Sequence, residues 1–389
     1  MKVCVGSAGR FHTFDLAKQL ERVGWLQQIY TAYPRWKVDG LPPHKVKSFP
    51  WLMGPKMILG RWGFHGLERY LNRLTVVTFD NWMANHVEPC DAFHCLSSFG
   101  LRTHRMVKER YGALTVCDRG SSHILFQNEI LSEEYARWGI PYQGIDPVLI
   151  ERETQEYAEC DFVFVPSTFV YSTFVQKGVP EAKLRKIAYG VDLNLFWPVA
   201  KNDDVFRVVY VGALSLRKGI PYLLEAVASL ELPKFELWLI GAIQPEVKTL
   251  LSRYEGKFRY FGEIHRSELY QYYSQASVFV IASIEEGLAL VQAQAMACGV
   301  PVIATRNTGA EDLFDDGVEG FIVPIRDVDA IRDRVLQLYH DRARRDEMAN
   351  AALRRVQSLG GWDTYGKKVI SCYQEAAGVG HQTSNRNVF

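Results

Sequence analysis

The chain has almost no net charge. Over 389 residues, 45 lysines and arginines offset 44 aspartates and glutamates, leaving +1 with histidine neutral. A chain so balanced presents no basic field, and nucleic acid drops out of the expected partners. Ordered cysteine is missing as well. Cys4, Cys90, Cys95, Cys117, Cys160, Cys298 and Cys372 are odd in number and scattered, with no Cys-x-x-Cys or Cys/His ligand spacing. They read as buried, reduced thiols of a cytoplasmic protein, and no metal set is expected. No apolar run approaches the roughly 20 residues that span a bilayer. The amino terminus enters a β-rich run directly, without the apolar core and small-residue cleavage site of a secretion signal. Short-period repeats and low-complexity tracts are absent, as are the Gly-x4-Gly-Lys-Ser/Thr and Gly-x-Gly-x-x-Gly phosphate signatures.

What remains is a soluble α/β grammar written twice. In the first half, β-rich runs at 2–6, 28–32, 92–96, 114–117, 162–166 and 186–188 alternate with helical stretches. In the second half the runs fall at 206–211, 236–240, 258–261, 278–282, 302–305 and 320–323. Strands alternating with helices predict parallel sheets, and two sets in a chain of this length predict two Rossmann-like domains. Pro198 and the polar cluster after it mark the junction. The expected division is 1–198, then 199–375, with 376–389 as a frayed tail lacking apolar periodicity.

The densest chemistry lies around Glu286. The apolar run 278–282 ends in an acidic turn, a small-residue helix follows, and Gly299 and Pro301 stop it before the next strand. Such a turn gathers carboxylates and free N–H groups at the carboxyl end of a strand, where doubly wound sheets bind ligands. The stretch Glu286-Gly287-Leu288-Ala289-Leu290, continued by Met296-Ala297-Cys298-Gly299-Val300-Pro301, resembles the Glu-x7-Glu signature of group 1 (family 4) glycosyltransferases. The family's second Glu is replaced by Gln294. The resemblance implies a GT-B architecture, two Rossmann-like domains facing across a cleft. It also implies transfer of a hexosyl group from a nucleoside-diphosphate sugar to a glycan or lipid-linked hydroxyl, with retention and without a required metal or other cofactor. It is strong from about residue 208 to 324. In the first half it rests on smaller pieces at 164–167, 177–180 and 190–192.

By the same resemblance Glu286 would accept a donor-sugar hydroxyl and Gln294 would contact the ribose. The backbone of Gly287, Leu288, Ala289 and Leu290 would approach sugar and phosphate. A second turn, Gly212-Ala213-Leu214-Ser215-Leu216-Arg217-Lys218-Gly219, follows strand 206–211 and has the form of a phosphate cradle. Lys218 fits the family's diphosphate lysine. Ala213 stands where the family has an arginine, which leaves Arg217 as the nearby guanidinium. Thr308-Gly309 sits at another strand end, either touching phosphate or capping the next helix.

On the acceptor side, Gly9 and Arg10 follow the first strand. His94 lies in the third, and Asp118-Arg119-Gly120-Ser121-Ser122-His123 follows the fourth. His123 joins Glu286 and Lys218 as a catalytic candidate, while His94, Asp118 and Arg119 are acceptor-side candidates. Asp203-Asp204 and Asp315-Asp316 read as solvated pairs rather than metal ligands. Segment 35–73 carries eight Lys/Arg against Asp39 and Glu68, interleaved with Trp36, Phe49, Trp51, Trp62, Phe64 and Tyr70. It suits peripheral contact with an anionic membrane, or an excursion that packs its aromatics inward. Two rival readings of the whole chain stay open: a catalytically silent glycosyltransferase-like scaffold, encouraged by Ala213 and Gln294, and a membrane-surface binding module.

Overall fold

The computed structural model describes residues 1–49 and 65–384. The first sheet contains β1 (Val3–Ser7), β2 (Leu26–Thr31), β3 (Val46–Ser48), β4 (Ala92–Leu96), β5 (Leu114–Asp118), β6 (Phe162–Val165) and β7 (Leu184–Lys186). The second contains β8 (Phe206–Val211), β9 (Phe235–Ile240), β10 (Arg259–Tyr260), β11 (Val278–Ile281), β12 (Val302–Thr305) and β13 (Gly320–Val323). Strand order is β3-β2-β1-β4-β5-β6-β7 in the first and β10-β9-β8-β11-β12-β13 in the second, with every named pairing parallel. Parallel strands are covered on both faces, so their runs are continuously apolar. All five residues of β1 and all six of β8 are buried accordingly.

In each sheet the order reverses beside the first strand, between β1 and β4 and between β8 and β11. The crevice at such a switch point opens at the carboxyl ends of the strands. The loops after β1, β5, β8 and β11 therefore converge on one region, and they carry almost every candidate residue. This is the predicted two-domain α/β fold of GT-B type.

Two strands depart from the expected pattern. β3 is an unanticipated three-residue edge strand, too short for periodicity to register beside Pro42 and Pro43. β7 begins at Leu184 rather than 186, because buried Leu184 starts its pairing with Val163. Of the 35–73 segment, Trp51, Trp62 and Phe64 lie outside the described residues. Phe49 stacks on Trp82 with ring centroids 5.2 Å apart, whereas Trp36 is 78% exposed and Tyr70 53%.

The connector 187–205 packs Val191 and Phe196 into the core of the second half. The final helix, Trp362–Ser384, runs in the opposite sense. It leaves the second sheet and lays Tyr365, Val369 and Tyr373 into the cluster formed by Val3, Val5, Leu16 and Leu20 of the first half. It also continues past residue 375, where a frayed tail was expected to begin; residues 385–389 lie outside the described region. Each half thus owns part of the other's core. Tyr373, fully buried with its hydroxyl on His94, should cost about 3 kcal/mol or more when truncated to Ala. Chemical denaturation measures this, and an undiminished midpoint would show the helix to be an appendage.

Candidate functional site

The donor-side turns meet because glycine lets them. Gly219 has φ +66°, and a Cβ there would lie 1.8 Å from the Ala282 carbonyl oxygen. Only glycine allows the loop after β8 to lie this close to the end of β11. The approach is fixed by the Ile284 amide donating to the Arg217 carbonyl at 2.9 Å. It brings the Lys218 ammonium onto the Glu286 carboxylate. Glu286 is nearly buried and also accepts from the Ser283 hydroxyl at 3.2 Å.

The turn itself is held from beneath. The Glu286 and Ala289 amides donate to the carbonyls of Asn307 and Thr308, each at 3.1 Å. The Ala289 amide is therefore already committed, a correction to the expectation that the whole run from Gly287 to Leu290 faces ligand. Leu288 and Ala289 pack into the apolar cluster of the second half. Gly309, at φ +72°, lies under Leu288 and the Gly287 carbonyl. The Thr308 hydroxyl donates to the Thr305 carbonyl at 2.6 Å. This pair buttresses the turn. Gln294 is on the helix Leu290–Ala297, and its side-chain oxygen accepts from the buried Tyr273 hydroxyl at 3.2 Å.

Glu285, assigned no role from sequence, is the residue that joins the halves. Its carboxylate is completely buried. It accepts from Arg217 Nε at 2.8 Å, the Ser121 and Ser122 hydroxyls at 2.7 and 2.6 Å, the Ser122 amide at 3.0 Å and Gln127 Nε2 at 3.0 Å. Arg217 thus takes part in this clamp through Nε, with a further bond from Nη2 to Ser121 Oγ at 3.2 Å, while its side chain stays 35% exposed. The two backbones meet here too. A Cβ on Gly287 would fall 1.9 Å from the Gly120 carbonyl oxygen. The Ser167 hydroxyl donates to the Gly287 carbonyl at 2.7 Å, and Asp312 accepts from the Thr168 amide and from Lys186.

The first-half candidates separate into two groups. Asp118 Oδ2 lies 2.6 Å from His12 Nε2 and 2.9 Å from His94 Nε2, and His94 Nδ1 reaches the Tyr373 hydroxyl at 2.7 Å. Burial alone would raise the Asp118 pKa, but the two imidazoles outweigh it and hold the carboxyl well below its usual range. His12, two residues beyond Arg10, had no role from sequence, and only the fold brings it to a partner 106 residues away. Arg119 and His123 turn away from the cleft. The Arg119 guanidinium is buried on Glu153, Gln127 and the Ser122 carbonyl. His123 caps the helix Ile124–Arg137, accepting from the Leu125 amide at 3.2 Å, and packs on Tyr157 and Phe174. Burial, with Arg119 and Lys177 nearby, pulls its pKa down to about 4. A neutral cap explains the residue, and the catalytic assignment is corrected. Gly9 is buried, its carbonyl accepting from the Ser7 hydroxyl at 2.8 Å, whereas Arg10 is exposed and faces Asp39 at 3.8 Å.

Asp203 and Asp204 are ion-paired to Arg207 and Lys234, and the Asp316 carboxylate accepts from the Ile322 amide. A cavity of about 590 Å3 lined by Lys201, Phe206, Ser277, Pro301, Arg342 and Arg345 opens where β8, β11 and β12 begin. That is the far end of the sheet from Glu286.

The family model for glycosyl transferases group 1 matches residues 192–355, the part of the chain that holds Lys218 and Glu286. Over those residues the chain is similar to the group 1 glycosyltransferases. Among curated relatives, a D-inositol 3-phosphate glycosyltransferase of Kribbella flavida is 28% identical over 223 residues, 51% of this chain and 52% of that protein. An uncharacterized glycosyltransferase of Methanocaldococcus jannaschii is 25% identical over 271 residues, 64% of this chain and 69% of that protein. The match thus spans about half the length of the first and two thirds of the second. Sucrose-phosphate synthase from Thermosynechococcus elongatus superimposes with a TM-score of 0.78 at 22% identity, covering 97% of this chain and 100% of that one. Anabaena HepE, in a complex with UDP and glucose, gives 0.68 at 16% identity over 96% of this chain and 100% of that one. These likenesses establish the fold across both halves, including the first, which the family model does not reach.

The clamp has a pH signature. Burial would raise the Glu285 pKa, but Arg217, Ser121 and Ser122 outweigh it and bring it from the ordinary 4.5 to about 2. A depressed folded-state pKa stabilises fully above the unfolded value and is lost as pH falls toward the folded one. Glu285→Gln should therefore destabilise at pH 7 by about 3 kcal/mol, with a deficit that shrinks below about pH 4.5. Urea denaturation at pH 7 and pH 3 checks this; an equal deficit at both would mean that the charge is not what holds the joint.

Proposed function

We propose that the chain transfers a hexosyl group from a nucleoside-diphosphate sugar to a hydroxyl of a glycan or lipid-linked saccharide, with retention of anomeric configuration. One observation carries the reading: an ammonium and a carboxylate, Lys218 and Glu286, meet at the carboxyl ends of β8 and β11. Breaking the anomeric C–O bond leaves negative charge on the departing diphosphate, and a preorganised cation at that oxygen lowers the barrier. Lys218 is placed for this, and the reading takes the positive charge from it rather than from a metal. Glu286 is placed to accept from a sugar hydroxyl, a charge-assisted bond stronger than a neutral one. An incoming donor would exchange the Lys218–Glu286 pair for lysine–phosphate and carboxylate–hydroxyl contacts, so neither charge is left buried alone. The complexes of HepE with UDP and with UDP-glucose support a nucleotide sugar as the ligand of a protein with this fold.

Incubation with a panel of UDP-, GDP-, ADP- and TDP-sugars should give saturable binding and nucleotide release with at least one. Silence across the panel would favour a scaffold without activity. Glu286→Ala should lower the rate about 100-fold or more with little change in melting temperature, and a matching collapse of stability would make Glu286 structural. In the same assay Gln294→Glu should keep or raise the rate, because a carboxylate can still accept from Tyr273 and offers more to a ribose hydroxyl. Inactivation would place Gln294 away from the nucleotide.

The reading keeps the protein in the cytoplasm, with segment 35–73 resting on an anionic membrane face. The exposed Trp36, between Arg35 and Lys37, supports that contact. Among the described residues no helix is long and apolar enough to cross a membrane. In flotation, vesicles containing anionic lipid should carry the protein upward more than neutral ones; equal behaviour on both would remove the membrane from the account.

A further inference from the structure

A second set of polar groups faces the cleft from the first half, and the donor reading leaves it unused. His12 opens the helix His12–Arg22, directly after the loop that follows β1. Its Nε2 lies 2.6 Å from Asp118 Oδ2. With Asp118 held ionised, the proton of a neutral imidazole belongs on Nε2, and the lone pair stays on Nδ1. The ring is stacked on Tyr189 at 4.2 Å between centroids. The Tyr189 hydroxyl is buried and has no hydrogen-bond partner. Both groups border Gly120: a Cβ there would sit 3.1 Å from the Tyr189 hydroxyl and 3.5 Å from His12 Cε1. Gly120 is the residue whose carbonyl abuts Gly287, next to Glu286.

An orphaned buried hydroxyl costs roughly 1–3 kcal/mol unless something pairs with it. An imidazole oriented by a buried carboxylate beside such a hydroxyl makes a structural role for the trio incomplete. His94, by contrast, is satisfied on both nitrogens, by Asp118 and Tyr373.

We infer that His12 and Tyr189 form the acceptor-hydroxyl pocket, with His12 Nδ1 taking the acceptor's proton during transfer. The inference rests on the glycosyl-transfer reading above. The acceptor oxygen forms its bond to the anomeric carbon on the face from which the diphosphate oxygen departs, so that configuration is retained, and the electron pair of the breaking C–O bond leaves on the diphosphate. The acceptor's proton passes to His12 Nδ1 and afterwards to solvent. Tyr189 donates to or accepts from the incoming hydroxyl, and Asp118 acts through His12 as a positioning residue.

The test uses the full chain and whichever nucleotide sugar of the panel it binds, with water as the acceptor, reading nucleotide release, donor affinity and melting temperature. His12→Ala should lose about 100-fold in release rate at unchanged donor affinity, and added imidazole should restore part of it. Asp118→Asn, which turns the acceptor at Nε2 into a donor, should lose a similar fraction, with the double variant losing no more than either. Tyr189→Phe removes a hydroxyl that no protein group uses, so it should fold at least as stably and still release nucleotide several-fold more slowly. Release at the wild-type rate from the folded Tyr189→Phe or His12→Ala protein would overturn the inference. So would loss of donor affinity in His12→Ala, which would move the residue to the donor's site. Absence of donor binding by the wild-type chain would instead overturn the glycosyl-transfer reading, and it is seen in the affinity arm alone.

Discussion

Everything at the cleft depends on where one buried carboxylate finds its partners. Glu285 belongs to the second half, yet three of the residues that donate to it, Ser121, Ser122 and Gln127, come from the first. A charge with no exposed surface is tolerable only when fully paired, and the cost of leaving it unpaired fixes how the halves meet. Glu134 repeats the device from the other side. It is buried on the first-half helix Ile124–Arg137 and accepts from Tyr222 at 2.7 Å and Arg326 at 2.7 Å, both in the second half. Between these two anchors the glycine contact of Gly120 with Gly287 leaves no room for a side chain. Register across the cleft is therefore set to within the length of a hydrogen bond.

That register is what gives the neighbouring residues their chemistry. Glu286 follows the clamp directly, and Lys218 follows Arg217, so each clamp residue carries a cleft residue beside it in sequence. Glu285 is fully buried and structural, Arg217 ties it to the turn after β8 while itself 35% exposed, and the pair of Glu286 and Lys218 can be exchanged for ligand contacts. Adjacent residues on one turn thus divide holding from binding.

Much of this was readable from sequence, and the failures have a common cause. The two parallel sheets followed from alternating apolar runs, because strands buried on both faces leave a continuous signature. Glu286 and Lys218 stood out because each follows a strand and neighbours a glycine, a local pattern that reports position at the strand ends. Local pattern does not report where a side chain turns. Arg119, His123 and Arg217 all lie in the right loops, but each side chain meets a partner far along the chain: Glu153, Tyr157 and Phe174, or Glu285. His12 and Asp118 were invisible as a pair for the same reason. The crossing of the last helix onto the first half was likewise hidden, since an amphipathic helix does not name the sheet it will cover.

The most direct test of the account is hydrogen–deuterium exchange of the whole chain with and without a bound nucleoside diphosphate. The account predicts slowed exchange in the backbone of 212–219 and 285–290, with the joint at 120–122 unchanged. Protection confined instead to the strand-start cavity around Lys201 and Arg345, or to neither place, would contradict it.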